Sequence, residues 1–199
     1  MSSSLLRLAP LSLSLSLAAC IADEAGSAEP VSAQEAAVTS QAVEGVVVTM
    51  APVTSNNLLS IAASYRLSFQ AGGASCATVA SDDLTFVTVT FGCAGPLATS
   101  GTIHLELTSP TTFEATTDLT IGGVAIDGAI HLTVPVSPAD PRTLDADLSI
   151  AGPRRTLTAE AMASWSVAGA CMTYSSSGSI TAGNAAGSFE VDARTVCRE

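Results

Sequence analysis

The chain has 199 residues, of which 47% are apolar, 13% charged and 4% aromatic. This length has room for one ordinary domain or two small ones, and the apolar content excludes a chain that is disordered throughout. There are 18 acidic residues against seven arginines and no lysine, which gives a formal charge of -11. That balance excludes binding to nucleic acid, because contacts with phosphates require a cationic surface. Because aromatic residues are scarce, we expect a core of Val, Leu, Ile and Ala.

Residues 1–20 have the layout of a secretory signal. Arg7 precedes a Leu-rich run that ends at Leu17, and small residues follow it. A charged start, a short apolar run and small residues before a cleavage site are the three parts of such a signal. The apolar run of about 10 residues is too short to span a membrane as a helix, which takes about 20. The segment Leu17-Ala18-Ala19-Cys20 resembles the lipobox of bacterial lipoproteins, and the resemblance covers only these residues and the signal before them.

The lipobox resemblance implies a location in the cell envelope. In such lipoproteins the cysteine is lipidated and signal peptidase II cuts in front of it, so residues 1–19 are expected to be a signal peptide and Cys20 the lipidated residue. An acidic protein does not adhere to anionic headgroups by itself, so acyl chains such as palmitate would attach it to the membrane. Ile21 stands where Asp typically signals inner-membrane retention, which favours the outer membrane or cell surface over the periplasmic face of the inner membrane. The alternative is an ordinary secretory signal in which Cys20 is incidental.

The rest of the chain divides into a tether and one predicted domain. Residues 20–30 are small and acidic without periodicity, as in a flexible tether. Residues 31–199 are predicted to form a single α+β domain, with a helical part over 31–72 and an antiparallel sheet over 76–197.

Two helices are predicted at the start of this domain. Ser32 and Glu35 match a capping box, and Pro52 would end the helix that follows. The apolar face of this first helix consists of Val43, Val46, Val47 and Met50. A second helix is predicted from Thr54 to Phe69, with Gly72-Gly73 as its terminator. Its apolar face consists of Leu58, Ile61, Ala62, Tyr65 and Phe69. The valine run of the first helix and the last turn of the second would also suit strands.

About eight strands are predicted after Cys76, where Thr-rich alternation is broken by turn residues. They are Leu84–Phe91, Gly101–Thr108, Thr112–Ile121, Val124–Val134, Thr143–Ala151, Arg155–Val167, Cys171–Ile180 and Ser188–Val196. Short connections, such as Gly122-Gly123 and residues 183–187, force neighbouring strands to pair antiparallel, so the predicted topology is a β-meander. Ile103 and Leu105 alternate with polar residues, so one face should be apolar and covered by the helices.

Two disulfides are predicted from the four cysteines that remain besides Cys20. An exported bacterial protein meets an oxidising periplasm, where cysteines pair. Cys171 and Cys197 flank the turn at residues 183–187 symmetrically, which places them opposite each other across one hairpin. Cys76 and Cys93 flank a turn less symmetrically, so their bridge requires a bulge or a slanted pairing. The alternative is that some of them are buried free thiols.

The sequence contains none of the common catalytic signatures, and no cofactor is expected. G-x-S-x-G, H-E-x-x-H, C-x-x-C, G-x-G-x-x-G and P-loop motifs are absent. A serine nucleophile requires a base, and the only histidines are His104 and His131, both predicted on open strand faces. We therefore expect a protein that is not an enzyme.

The two histidines are nevertheless predicted to lie near a carboxylate. Strand pairing across the Gly122-Gly123 turn places His131 opposite Glu114, with His104 on a neighbouring strand one diagonal step from Glu114. Imidazole and carboxylate ligands suit zinc or another transition metal. A flat exposed face does not preorganise ligands, so a solvated polar face without metal is the preferred interpretation.

Three further features are interpreted as structural. The same register places Asp118 opposite Asp127, a like-charge pair that bound calcium could relieve and that a small register error would remove. Trp165 alternates with apolar residues and is predicted in the core. Arg154 and Arg155 follow a Gly-Pro turn and are expected to be solvated charges near aspartates of the neighbouring strand.

Together these features predict a lipid-anchored cell-envelope protein with a non-enzymatic structural or interaction role. One alternative is a carrier that holds an apolar ligand between the sheet and the helices. A less favoured alternative is a metal-dependent hydrolase that uses His104, Glu114 and His131. The membrane is the one expected partner, and the sequence indicates no other.

Overall fold

A computed structural model describes residues 30–71, 74–81, 85–94, 98–137, 139–169 and 171–197. The predicted signal peptide, Cys20, the tether up to residue 29 and the Gly72-Gly73 terminator lie outside the described residues. Within the described ranges, no helix is both long enough and apolar enough to cross a membrane.

Two helices precede the sheet, as the sequence predicts. Helix α1 spans Ala33–Met50 and helix α2 spans Leu58–Ser68. The predicted capping box is present: Ser32 Oγ accepts from the backbone N–H of Glu35 at 3.2 Å, and Glu35 Oε2 accepts from Ser32 N at 2.9 Å. The helical part ends before residue 72, because Gln70–Ala71 forms a short strand, β1, that pairs with β2 at Ala74–Ser75.

Nine strands form one antiparallel sheet, and each pairs with its neighbours in chain order. They are β3 (Ala77–Ser81), β4 (Phe86–Cys93), β5 (Thr99–Ser109), β6 (Thr112–Ile121), β7 (Val124–Thr133), β8 (Arg142–Ala151), β9 (Thr156–Ala168), β10 (Cys171–Ala182) and β11 (Ala185–Cys197). The predicted α+β meander is confirmed, but the sheet has nine strands instead of about eight. The missed strand, β3, has five residues, of which only Ala77 is buried, so its apolar alternation is weak.

The last hairpin is tighter than the predicted turn over residues 183–187. Strand β10 continues to Ala182 and β11 begins at Ala185, so Gly183-Asn184 alone connects them. Gly183 has φ of 62°, and two-residue hairpin turns require such positive φ values.

The structure contains the two disulfides expected from the sequence. Cys171 lies directly opposite Cys197 in the β10–β11 register. The register of β3 and β4 pairs Ala77 with Phe91, and the backbone of Cys76 accepts from Gly92 N at 2.9 Å. This register places Cys76 opposite Gly92, so the Cys76–Cys93 bridge is offset by one residue. Of the two predicted alternatives, a bulge or a slanted pairing, the structure has the slanted pairing.

The helices cover one face of the sheet, which we call the inner face. Helix α1 packs on β9, β10 and β11, and α2 packs on β3 and β4. Ile103 and Leu105 are fully buried on the inner face, and His104 lies between them on the opposite, outer face. Trp165 is 1% exposed on the inner face, so its predicted place in the core is confirmed.

Arg155 is not the solvated charge that the sequence suggests. Its Nε donates to Glu35 Oε1 at 2.9 Å, and its Nη1 donates to the carbonyl of Ala182 at 3.0 Å. The Arg155 guanidinium, with Ser32, lowers the pKa of the buried Glu35 carboxyl to about 2. This contact joins residues 120 positions apart and ties the start of α1 to the β10–β11 hairpin, which no local pattern could indicate.

Candidate functional site

The outer face is polar, and its strand register agrees with the prediction. Glu114 lies opposite His131, and Asp118 lies opposite Asp127. His131 Nδ1 donates to Glu114 Oε1 at 2.7 Å, with about half of each side chain exposed. Asp145 lies opposite His131 on its other side. Glu114, His131 and Asp145 form a solvated row across β6, β7 and β8.

His104 does not join this row. It lies opposite Thr116, and its Nδ1 shares a hydrogen bond of 2.9 Å with Thr88 Oγ1. Its ring contacts Phe86, with the ring centres 5.2 Å apart. In the part of the chain that the structure describes, no three His, Cys, Asp or Glu side chains are grouped closely enough to hold a metal ion. The predicted strand pairing therefore does not bring His104, Glu114 and His131 together as ligands.

A shallow depression of about 510 Å³ lies across β8–β11 on the outer face. It lies beside a shift in the β10–β11 register, where one residue of β10, between Tyr174 and Ser176, faces two residues of β11. Its walls mix acidic, hydroxyl and apolar side chains, among them the exposed Asp145 and Met162 and the half-buried Ser177. This depression is open to solvent, and it has no predominant chemistry that would select a ligand.

The space between the helices and the centre of the sheet is filled by core side chains. Val46 and Val47 of α1, Ile61 and Tyr65 of α2, and Leu105 of β5 are all 0% exposed. Core packing therefore occupies the place where the carrier hypothesis puts its ligand.

An apolar groove of about 340 Å³ lies instead at one end of the sheet, and we call it the end groove. Its floor is the last inner-face row of β9, β10 and β11, in which Met172 lies between Val167 and Val196. Its walls come from the end of α1, the connection between the helices and the end of α2, and include Val48, Ala51, Pro52, Thr54, Ser64, Leu67 and Ser68. Cys171, which also lines the groove, bridges β10 to β11 beside the floor.

Apolar side chains of the end groove are exposed to solvent. Leu67 is 71% exposed, Val167 39% and Val196 40%. These three are half of the six large apolar residues that the described chain exposes. Helix α1 ends at Met50, so its last turn borders the floor row without covering it. Clustered exposed apolar residues around a concavity are typical of a binding site.

The inner-face row next to the floor carries buried polar atoms. Across β8–β11, this row consists of Arg142, Trp165, Tyr174 and Arg194. Arg142 is 4% exposed, and its Nη2 donates to the carbonyl of Thr54, a wall residue, at 3.5 Å. Nε and Nη1 of Arg142, and Nε1 of Trp165, have no hydrogen-bond partner among the described residues.

The two arginines of this row differ in their electrostatic surroundings. Arg194 Nη1 donates to Glu44 Oε2 of α1 at 3.0 Å, so a carboxylate balances its charge. Burial, together with the Glu44 carboxylate, raises the pKa of Tyr174 to about 12. Burial lowers the pKa of Arg142, and the ion pairs found among the described residues do not include Arg142. Arg142 is thus a buried cation without a carboxylate partner in the described chain.

The sequence interpretation does not identify this site. The predicted strand Thr143–Ala151, which corresponds to β8, begins one residue after Arg142 and therefore leaves Arg142 in a loop. Arg142, Leu144 and Ala146 occupy alternate positions of the strand, which places Arg142 on the inner face with the other two. This alternation is the sequence signal from which the burial of Arg142 could have been predicted. Val167, which the alternation groups with the core residue Trp165, is exposed because the helices end before it.

Comparison of the chain with protein-family models, with curated proteins and with solved structures gives no match. The geometry of the end groove and of the polar row beside it is therefore the basis for assigning a function.

Proposed function

We propose that the protein is a lipid-anchored, non-enzymatic component of the bacterial cell envelope that holds an apolar chain in the end groove. The observation that carries this proposal is the cluster of Leu67, Val167 and Val196, which are exposed around a concavity of about 340 Å³. Ligand sites commonly have volumes of about 300–1,000 Å³ and mostly apolar walls. The end groove lies at the lower limit of that range, so it suits a single slender chain.

The position of the groove agrees with an anchor at the N-terminus. Val31 N donates to the carbonyl of Ala186 at 3.4 Å, so the described chain begins beside the β10–β11 hairpin. Helix α1 then runs for 18 residues to the groove, a length of about 27 Å at a rise of about 1.5 Å per residue. A protein held through Cys20 would therefore present the groove at the end of the domain opposite the attachment point.

The anchor is tested by replacing Cys20 with Ser. The variant should lose acyl labelling and leave the membrane fraction, because an acidic protein does not adhere to anionic headgroups by itself. Unchanged membrane partitioning of Cys20→Ser would contradict the lipid anchor. It would not affect the proposal that the end groove binds a ligand.

Ligand binding is tested with dodecanol and the exported Cys20→Ser protein. The single tryptophan of the chain, Trp165, lies one inner-face row from the groove floor, so its fluorescence reports binding there. Leu67→Ser should weaken dodecanol binding about tenfold, since a large aliphatic side chain contributes about 1.5–3 kcal/mol when buried. Met162→Ser is the matched control, because Met162 is 61% exposed on the outer face. Equal effects of the two substitutions, or absence of binding, would contradict the proposal.

The non-enzymatic part of the proposal rests on the absence of catalytic motifs from the sequence. It is tested with the double variant His104→Ala and His131→Ala, which should retain its stability and dodecanol binding. Zinc that is retained stoichiometrically through purification and lost in the double variant would favour the metal-dependent hydrolase instead.

A further inference from the structure

We propose that the end groove binds a single-chain amphiphile with a carboxylate head group, and that Arg142 and Trp165 bind that carboxylate. This inference rests on the proposed function and adds the chemical class of the ligand. An apolar chain would lie over Val167, Met172 and Val196, with its head group directed toward the inner row.

The first reason is that Arg142 has a charge which the described chain does not balance. Arginine is almost never fully buried unless it is paired, yet Arg142 is 4% exposed and, among the described residues, makes one hydrogen bond, of 3.5 Å. Arg155 shows how this same chain satisfies an arginine, with hydrogen bonds to Glu35 and to the carbonyl of Ala182. An anionic ligand would give Arg142 the partner that Arg155 has.

The second reason is the position of Arg142 relative to the groove. Arg142 lies opposite Trp165, and Trp165 lies two residues before the floor residue Val167 on the same face of β9. Thr54 lines the groove and accepts the hydrogen bond from Arg142 Nη2. Arg142 is thus in contact with a residue of the groove wall. A small shift of Thr54 would let a head group reach the guanidinium.

The third reason is the match of donors to a carboxylate. Two guanidinium nitrogens of Arg142 and the indole N–H of Trp165 are buried without partners among the described residues. These three can only donate, and the hydroxyl of Tyr174, which is also buried without a partner among the described residues of this row, can donate too, so the row favours a ligand that accepts hydrogen bonds. A carboxylate does this with charge-assisted bonds, and its small size suits a groove of about 340 Å³.

The test compares dodecanoate with dodecanol, which have the same chain and differ in the head group. Both are titrated below their aggregation limits into the exported Cys20→Ser protein, with Trp165 fluorescence as the readout. Dodecanoate should bind about 10- to 100-fold more tightly, the range expected for hydrogen bonds to a charged group.

Arg142→Met should remove this preference, because it should weaken dodecanoate binding far more than dodecanol binding. The matched control is Arg194→Met, because Arg194 lies in the same row but is paired with Glu44; this variant should keep the preference. Equal affinities of the wild-type groove for the two ligands would overturn the carboxylate assignment and leave the proposed function intact. Binding of neither ligand would overturn both.

A second measurement keeps the inference testable if Arg142→Met does not fold. Bromine quenches tryptophan fluorescence on contact, so 2-bromododecanoate and 12-bromododecanoate report which end of the chain approaches Trp165. With the carboxylate at Arg142, the 2-bromo compound should quench more strongly at saturation. Equal or stronger quenching by the 12-bromo compound would overturn the inference, since the chain would then lie reversed or without a fixed direction.

Discussion

Replacing Arg142 with Met should stabilise the ligand-free protein, although it removes a buried side chain. Two nitrogens of Arg142 have no partner among the described residues, and each unsatisfied buried group costs about 1–3 kcal/mol. The substitution forfeits one hydrogen bond of 3.5 Å to Thr54, which is worth at most about 1 kcal/mol at that length. Met fills a similar volume without charge, so we expect a net gain of about 1–4 kcal/mol, the range found when buried ionic groups are replaced by apolar ones.

This gain is measured by urea and thermal unfolding of the Cys20→Ser protein, from which any bound amphiphile has been removed and in which the disulfides are intact. The midpoint temperature should rise by about 2–4 °C for each kcal/mol in a domain of this size. Arg155→Met is the control, and it should destabilise the protein because it leaves the buried Glu35 carboxylate without its partner. A lower midpoint for Arg142→Met would refute the reasoning, since it would mean that the guanidinium is already satisfied inside the protein.

Other predictions concern the ion pair, a disulfide and the sheet. Stability should fall as the pH decreases from about 4.5 toward 2, because the folded-state pKa of Glu35 is lowered to about 2; Glu35→Gln should flatten this part of the pH–stability curve. Replacing Cys171 and Cys197 with Ser should cost about 3–4 kcal/mol in urea unfolding, from the loop they close. Gly101→Ala should cost at least about 1–3 kcal/mol, because Gly101 has φ of 105° and a Cβ would lie 2.1 Å from a backbone carbonyl oxygen, whereas Gly92→Ala, with no atom within 4 Å, should be neutral.

Features set by neighbours in sequence are predicted well. The capping box of Ser32 fixes the start of α1, and the Gly122-Gly123 turn fixes a register that pairs Glu114 with His131. These succeed because a cap or a two-residue turn determines its geometry over a few residues, and alternation then carries the register along the strand. The Cys171–Cys197 bridge is predicted correctly, but the register of the Gly183-Asn184 turn alone would pair Cys171 with Val196; the shift between Tyr174 and Ser176 places Cys197 opposite Cys171.

Features that depend on where elements end in space are not predicted. The end groove exists because α1 stops at Met50 while the inner row with Val167 and Val196 continues past it. The periodicity of apolar residues in the sequence indicates which face of a helix or strand is apolar. It does not indicate how far a helix reaches across a sheet. The ion pair of Arg155 with Glu35, and the absence of an ion pair for Arg142 among the described residues, likewise depend on how distant segments pack together.

The most direct test is an NMR measurement of contacts between dodecanoate and protein methyl groups. Exported Cys20→Ser protein with labelled Leu, Val and Met methyls is saturated with dodecanoate, and intermolecular NOEs are collected. The structure predicts NOEs from the alkyl chain to Leu67, Val167 and Val196, and none to Met162, which is on the outer face and more exposed than either valine. NOEs to Met162 without NOEs to the groove valines, or no NOEs at all at saturating ligand, would contradict the end groove as the binding site.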